Sequence, residues 1–149
     1  MVLVFNEDRS HVLLGYKKTG EIGQCTINGP GGKNEPGETA EDCIVRETRE
    51  EIGIHLDKQT LVRVGTVISF VADIPDFEVT IFHAGKYEGT PQETDEMIPE
   101  WHDVCKVPFD RMLEGDRDWF PRAMQGEPFR AHVYYKERVR FHQRTEFAT

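Results

Sequence analysis

Three glutamates in the stretch RETREEIGI, Glu47, Glu50 and Glu51, stand three and four residues apart. On a helix that spacing puts them on one face, because each residue turns the chain by about 100°. Carboxylates gathered on one stripe repel one another unless a cation joins them. An all-oxygen, strongly negative donor set selects a hard divalent ion, Mg2+ or Mn2+, over zinc. The plainer alternative is a solvated acidic face, which many Glu-rich helices present. Arg49 is expected to point away from the cluster and Arg46 to sit at its edge, so that neither cancels it.

Just upstream, NGPGGKNEPGE (residues 28–38) holds four glycines in eleven residues. Such a loop turns sharply or lets the backbone come close to something. It is not a Walker loop, because Ile27 and Asn34 stand where Gly and Ser or Thr are needed. It is not a dinucleotide-binding turn either, since Asn34 takes the place of the third glycine. The alternating ligands of an EF-hand are also missing.

From Gly32, five residues lead to Glu38 and seven more to the run Arg46, Glu47, Thr48, Arg49, Glu50, Glu51, Ile52, Gly53 and Ile54. This resembles the Nudix box, Gly-x5-Glu-x7-Arg-Glu-U-x-Glu-Glu-x-Gly-U, where U is a bulky aliphatic. Every fixed position matches, and only Thr48 departs, at the first aliphatic site. The resemblance implies an α/β fold, a Nudix-type α/β/α sandwich with a mixed β-sheet, and a loop–helix–loop that binds divalent metal. It further implies metal ligands at Glu47, Glu50, Glu51 and the Gly31 carbonyl, with Glu38 and Arg46 as orienting partners. The reaction would be nucleophilic substitution at the phosphorus of a diphosphate linked to another moiety.

Outside the box, VLLGYKK, NGPGGK, GTPQETDEM and DWFP resemble the MutT-type purine nucleoside triphosphate diphosphatases, especially the animal oxidised-purine subgroup. By that resemblance Glu96 reaches the metal site as a ligand or base, joining Glu50 and Glu51 as the catalytic set. Asn28 and Asp116 read the purine, and Lys33 and Leu113 fall on the substrate side. An Asn amide offers donor and acceptor together, and a carboxyl can read a ring N–H and an amino group. Asn28 is equally a turn residue before Gly29, and Asp116 a solvated acid. Leu113 stands where the subgroup has a stacking tryptophan, and Gly115 replaces the first of two adjacent aspartates, so stacking area and one polar reader are lost.

The expected activity is Mg2+-dependent hydrolysis of purine nucleoside triphosphates, such as 8-oxo-dGTP or dGTP, to nucleoside monophosphate and pyrophosphate. Hydrolysis of a nucleotide sugar or dinucleoside polyphosphate is the alternative within the family. A non-catalytic ligand-binding module is the alternative outside it, although the acid cluster is whole.

These residues need elements to hold them. MVLVF and HVLLGYK read as a β-hairpin. Residues 39–52 read as a helix, capped by Thr39 with Asp42 three residues on and stopped at Gly53. Residues 61–72 and 77–87 read as strands joined by DIPD, and EGTPQETDEMIPE as a polar loop. PFDRMLEGDRDWFPRAMQG reads as one or two short helices broken at Gly115 and Pro121, and the tail as a final hairpin.

With 149 residues the chain is expected to form one domain, residues 1–149. A net charge of -9 argues against a nucleic-acid polymer as partner, and a divalent metal can reverse the field locally for a small nucleotide. No apolar run reaches a membrane-spanning length, and without a targeting segment the expected address is cytoplasmic, with a monomer favoured. Cys25, Cys43 and Cys105 form no metal or disulfide pattern and read as reduced thiols.

Overall fold

The computed structural model describes residues 1–148. In chain order its elements are Val2–Phe5 (β1), His11–Lys17 (β2), Ile27–Asn28 (β3), Ala40–Ile52 (α1), His55–Leu56 (β4) and Val62–Val71 (β5). Ile74–Ala84 (β6), Tyr87–Glu88 (β7), Met97–Asp103 (β8), Asp116–Gln125 (α2), Phe129–Glu137 (β9) and Arg140–Phe147 (β10) follow. One mixed sheet runs in the order β10-β9-β5-β6-β1-β2-β3, with β8 also paired to β2. The β1–β6 and β5–β9 pairs are parallel. The β4 and β7 strands form a separate antiparallel pair.

Strand alternation gives the sheet two apolar faces. Val2, Val4 and Leu13 point to one face and pack with Ile44 and Ile52 of α1. Leu3, Val12 and Leu14 point to the other and pack with Trp119, Phe120 and Ala123 of α2. A helix therefore covers each side of the sheet, the α/β/α sandwich that the box implies. Each fully buried aliphatic or aromatic side chain contributes about 1.5–3 kcal/mol.

The helix α1 begins and ends where its sequence says. Thr39 Oγ1 accepts a hydrogen bond from the Asp42 amide at 3.1 Å, and Gly53 closes the helix in the left-handed region at φ 75°. The hairpins at both ends of the chain are present.

Three expectations are corrected. The polar loop after residue 88 ends in a strand, β8, along the whole of β2. Pro99 masked it, but β8 is an edge strand, where a missing N–H is tolerated. DIPD is not the connection between β5 and β6. The turn is Ala72 and Asp73, at φ 49° and 63°, the positive pair that two-residue hairpins favour, and Pro75 already lies in β6. Pro121 does not break α2 either. It removes one intrahelical bond, to the carbonyl of exposed Arg117, while Trp119, Phe120 and Ala123 anchor the helix in the core. Gly115 does mark the start of α2.

Among the described residues no helix is long and apolar enough to cross a membrane.

Candidate active site

The glycine loop lies against the acidic face of α1. At Gly32 a β-carbon would meet the Glu47 carboxyl group, so any other residue there would push that carboxyl away from the loop. Next to it, the Gly31 amide donates to Glu51 Oε2 at 2.8 Å. The loop's other end is held by Glu38, whose carboxylate takes a bidentate grip on Arg46 at 2.8 and 2.9 Å and accepts from the Glu35 amide at 2.9 Å. That guanidinium, followed by the amide, pulls the Glu38 carboxyl down to about 2.

Arg46 is more deeply engaged than its place at the cluster's edge suggested. Its Nη1 donates to Glu47 at 2.7 Å and to Glu50 at 3.1 Å, so the arginine neutralises part of the acidic stripe. One side chain thus ties the loop, through Glu38, to two of the three glutamates. Arg49 makes no ion pair among the described residues.

The third glutamate is set apart. Glu51 is 2% exposed, and burial pushes its carboxyl up to about 7. The Gly31 amide and Lys17, whose Nζ lies 3.9 Å away, oppose that shift, while Glu47 and Glu96 add to it. The link to Glu96 runs through the end of α1. Thr94 Oγ1 donates to the Glu51 carbonyl at 2.7 Å and the Gln92 amide to the Ile52 carbonyl at 2.9 Å, satisfying carbonyls that the helix leaves free. Lys18 secures the same loop by bonds to Thr94 O and Glu93. Glu96 is exposed and carries no ion pair among the described residues.

Thr48, the one departure within the box, is fully buried, and its hydroxyl donates to the Ile44 carbonyl at 2.6 Å. It serves packing. Cys43 is buried beside the loop, where burial pushes its thiol up to about 11, so it is unreactive. Cys25 and Cys105 are free and exposed.

On the opposite face of the sheet, Asp116 is 3% exposed at the start of α2. A solvated acid is therefore excluded. Burial pushes its carboxyl up to about 7, against the Leu113 amide (3.3 Å) and Trp119, which lower it. Leu113 is half-buried in the same turn. Asn28 is half-buried on β3 opposite Gly15, and its Oδ1 accepts from the Gly29 amide at 2.9 Å, a turn contact. Lys33 is not at the carboxylate cluster: its exposed ammonium pairs with Glu21, which also binds Arg138 at 2.6 Å.

Apart from Asn28 on β3 and Lys33 beside Glu21, the predicted residues fall in two groups. Gly31, Glu47, Glu50, Glu51 and Glu96 gather around the end of α1, whereas Leu113 and Asp116 belong to the α2 side. Thr94, Lys17 and Lys18, which position the first group, lie in the stretches GTPQETDEM and VLLGYKK, but the resemblance assigned none of them a role. The Arg46–Glu50 pair did, through its i,i+4 spacing.

The donor set at α1 suits a hard divalent cation. It consists of oxygens only, and its buried carboxyl is raised by desolvation and by two neighbouring acids, a cost that a cation relieves. Among the described residues no three acidic, histidine or cysteine groups already converge in ligating geometry. Glu47 and Glu50 instead spend oxygens on Arg46.

A model of the NUDIX domain matches residues 1–123. Two relatives named oxidized purine nucleoside triphosphate hydrolase are similar over nearly the whole chain. The one from Danio rerio is 41% identical over 137 residues, 91% of this chain and 85% of its own. The one from Mus musculus is 40% identical over 138 residues, 92% of this chain and 85% of its own. Among solved structures, a MutT protein from Bacillus halodurans superposes with a TM-score of 0.79 at 22% identity, covering 98% of this chain and 94% of that one. A MutT protein from Methanosarcina mazei gives 0.67 at 22% identity, covering 83% and 89%. These two structures support the fold.

Proposed function

The chain belongs to the Nudix hydrolase family, and from that membership we propose that it hydrolyses oxidised and ordinary purine nucleoside triphosphates to nucleoside monophosphate and pyrophosphate. The observation that carries the reading is the desolvated Glu51 carboxyl, held by the Gly31 amide and crowded by Glu47 and Glu96. The names of the two relatives, at 41% and 40% identity, support an oxidised purine triphosphate as substrate.

Glu47, Glu50 and Glu51, with the Gly31 carbonyl and Glu96, would hold the cation. A divalent ion there neutralises diphosphate charge and acidifies water. The all-oxygen donors support Mg2+. Arg46, clamped by Glu38, orients Glu47 and Glu50. Glu96, exposed and free of ion pairs among the described residues, joins Glu50 and Glu51 as a candidate to take a proton from attacking water. Asp116 and Asn28 face the base, and Lys33 is a lesser candidate for phosphate. The reading takes a free nucleotide as substrate and a monomer in the cytoplasm as the working form.

The test is pyrophosphate release with Mg2+ across 8-oxo-dGTP, dGTP, dATP, pyrimidine triphosphates, a nucleotide sugar and a dinucleoside polyphosphate. Pyrophosphate from the purine triphosphates, exceeding that from pyrimidines, is expected. Turnover of only the sugar or dinucleoside compound, or none at all, would overturn the reading.

A further inference from the structure

The acid missing at position 115 leaves no vacancy. Gly115 has φ -82°, which any residue adopts, so its glycine is not required by backbone conformation. It is required by what fills the space. A β-carbon there would lie 2.7 Å from the Tyr135 hydroxyl, 2.5 Å from Val133 Cγ1 and 3.2 Å from His142 Cδ2. The Val133 methyl and the Tyr135 phenol of β9 together occupy the place a side chain at 115 would take. Tyr135 is 3% exposed, its ring meets the edge of His142, and its hydroxyl faces the Gly115 amide and the Asp116 carboxyl, with Glu114 and Asp118 beyond.

A second hydroxyl lies on the same sheet face. Ser69 of β5 stands directly opposite Val133 of β9 in the parallel register, diagonal to Tyr135. Its side-chain oxygen is fully buried and has no hydrogen-bond partner. An unpaired buried hydroxyl is costly, and a polar ligand is one partner that would offset the cost. Val133, the partner of Ser69 across the strands, is the residue nearest to Gly115 in the turn before α2.

We propose that the hydroxyls of Tyr135 and Ser69 take over the role of the absent acid and, together with Asp116, read the polar edge of the purine. This rests on the base-facing assignment of Asp116 made above. The exchange has a chemical consequence. A carboxylate only accepts hydrogen bonds, whereas a hydroxyl donates or accepts by rotating. Hydroxyls therefore suit both N7 of an ordinary purine, an acceptor, and the N7–H of an 8-oxopurine. They suit a 6-oxo or a 6-amino group equally. The pocket selects purine shape while discriminating little between oxidised and unoxidised bases.

The test compares the intact protein with Tyr135→Phe and Ser69→Ala. Binding of dGMP and 8-oxo-dGMP, both product-like, is measured by calorimetry without metal, alongside KM for purine and pyrimidine triphosphates with Mg2+. Tyr135→Phe keeps the ring and loses the hydroxyl, so both monophosphates should bind about three- to tenfold more weakly, the effect of one hydrogen bond. The purine KM should rise with them, and the purine-to-pyrimidine ratio of kcat/KM should fall. Ser69→Ala should also weaken purine binding while leaving Tm unchanged or higher, because it removes an unpaired group from the core. A purely structural role would lower Tm and affect all nucleotides alike. Purine binding and selectivity unchanged in both variants would overturn the proposal even if hydrolysis proceeds. Tyr135-dependent binding of monophosphates without pyrophosphate release would instead sink the hydrolytic reading and leave the base subsite standing.

Discussion

Two carboxyls in this molecule, Glu51 and Asp116, are both almost fully buried and both pushed up to about 7 by desolvation. They sit on opposite faces of the same sheet in different company. Glu51 has acids at its side, Glu47 and Glu96, and a basic neighbour, Lys17. Asp116 has an amide, an indole and a phenol. In the proposed reading the same burial is put to two different tasks. A crowded set of carboxylates is relieved by a cation, whereas a lone carboxyl among neutral donors is relieved by hydrogen bonds to a neutral ligand.

The largest effect should come from separating these tasks at the metal side. Glu51→Gln preserves shape and removes a charge, and should lower kcat by about two decades or more for every nucleotide, as loss of a major electrostatic stabiliser does. Steady-state kinetics with a check of fold by circular dichroism decides it. Near-normal turnover would remove Glu51 from the site.

A smaller effect belongs to the clamp behind it. Glu38→Gln breaks the charged, bidentate hold on Arg46 and so loosens Glu47 and Glu50. Partners that orient ligands typically matter about 10- to 100-fold. The loss should appear as weaker Mg2+ activation, read from metal titrations of rate, with the purine preference unchanged. If the preference shifts instead, the two faces are not independent.

The smallest effect is on stability. Both acids have folded pKa values raised above their unfolded ones, so the folded protein binds more protons between about 4 and about 7. In metal-free protein their contribution is most favourable below the unfolded values and is lost as pH rises through about 7. Tm should thus fall across that window, and Asp116→Asn should flatten the fall, as thermal melts from pH 5 to 8 would show. An unchanged slope in Asp116→Asn would mean that the carboxyl is not desolvated in the folded state.

The two regions also differ in how far the sequence revealed them. Apart from Glu96, the proposed metal side lies within residues 31–54, on one loop and one helix, so residue spacing carries most of its geometry. Thr39, Gly32 and Gly53 announce the cap, the close approach and the stop. What spacing could not show was the ion pairing of Arg46 with its neighbour Glu47, and the hold of Thr94 on the end of α1. The proposed base side draws on residues 69, 113–116, 135 and 142, which come from β5, the turn before α2, β9 and β10, with 69 and 135 brought near by the parallel pairing of β5 with β9. No local pattern records such a meeting. That is why Gly115 read as a lost side chain rather than as room for Tyr135. The strand β8 and the unbroken α2 escaped for a related reason, since Pro99 and Pro121 are tolerated only because of an edge position and a buried anchor.

The central claim, that one buried acid serves the metal and the other serves the base, is tested most directly by one paired measurement. The purine-to-pyrimidine ratio of kcat/KM is determined for the native chain, Glu51→Gln and Asp116→Asn under saturating Mg2+. The account predicts that Glu51→Gln loses rate on all triphosphates with the ratio preserved. It predicts that Asp116→Asn lowers the ratio, mainly through the purine KM. Ratios that move together in both variants, or a ratio that changes only in Glu51→Gln, would contradict it.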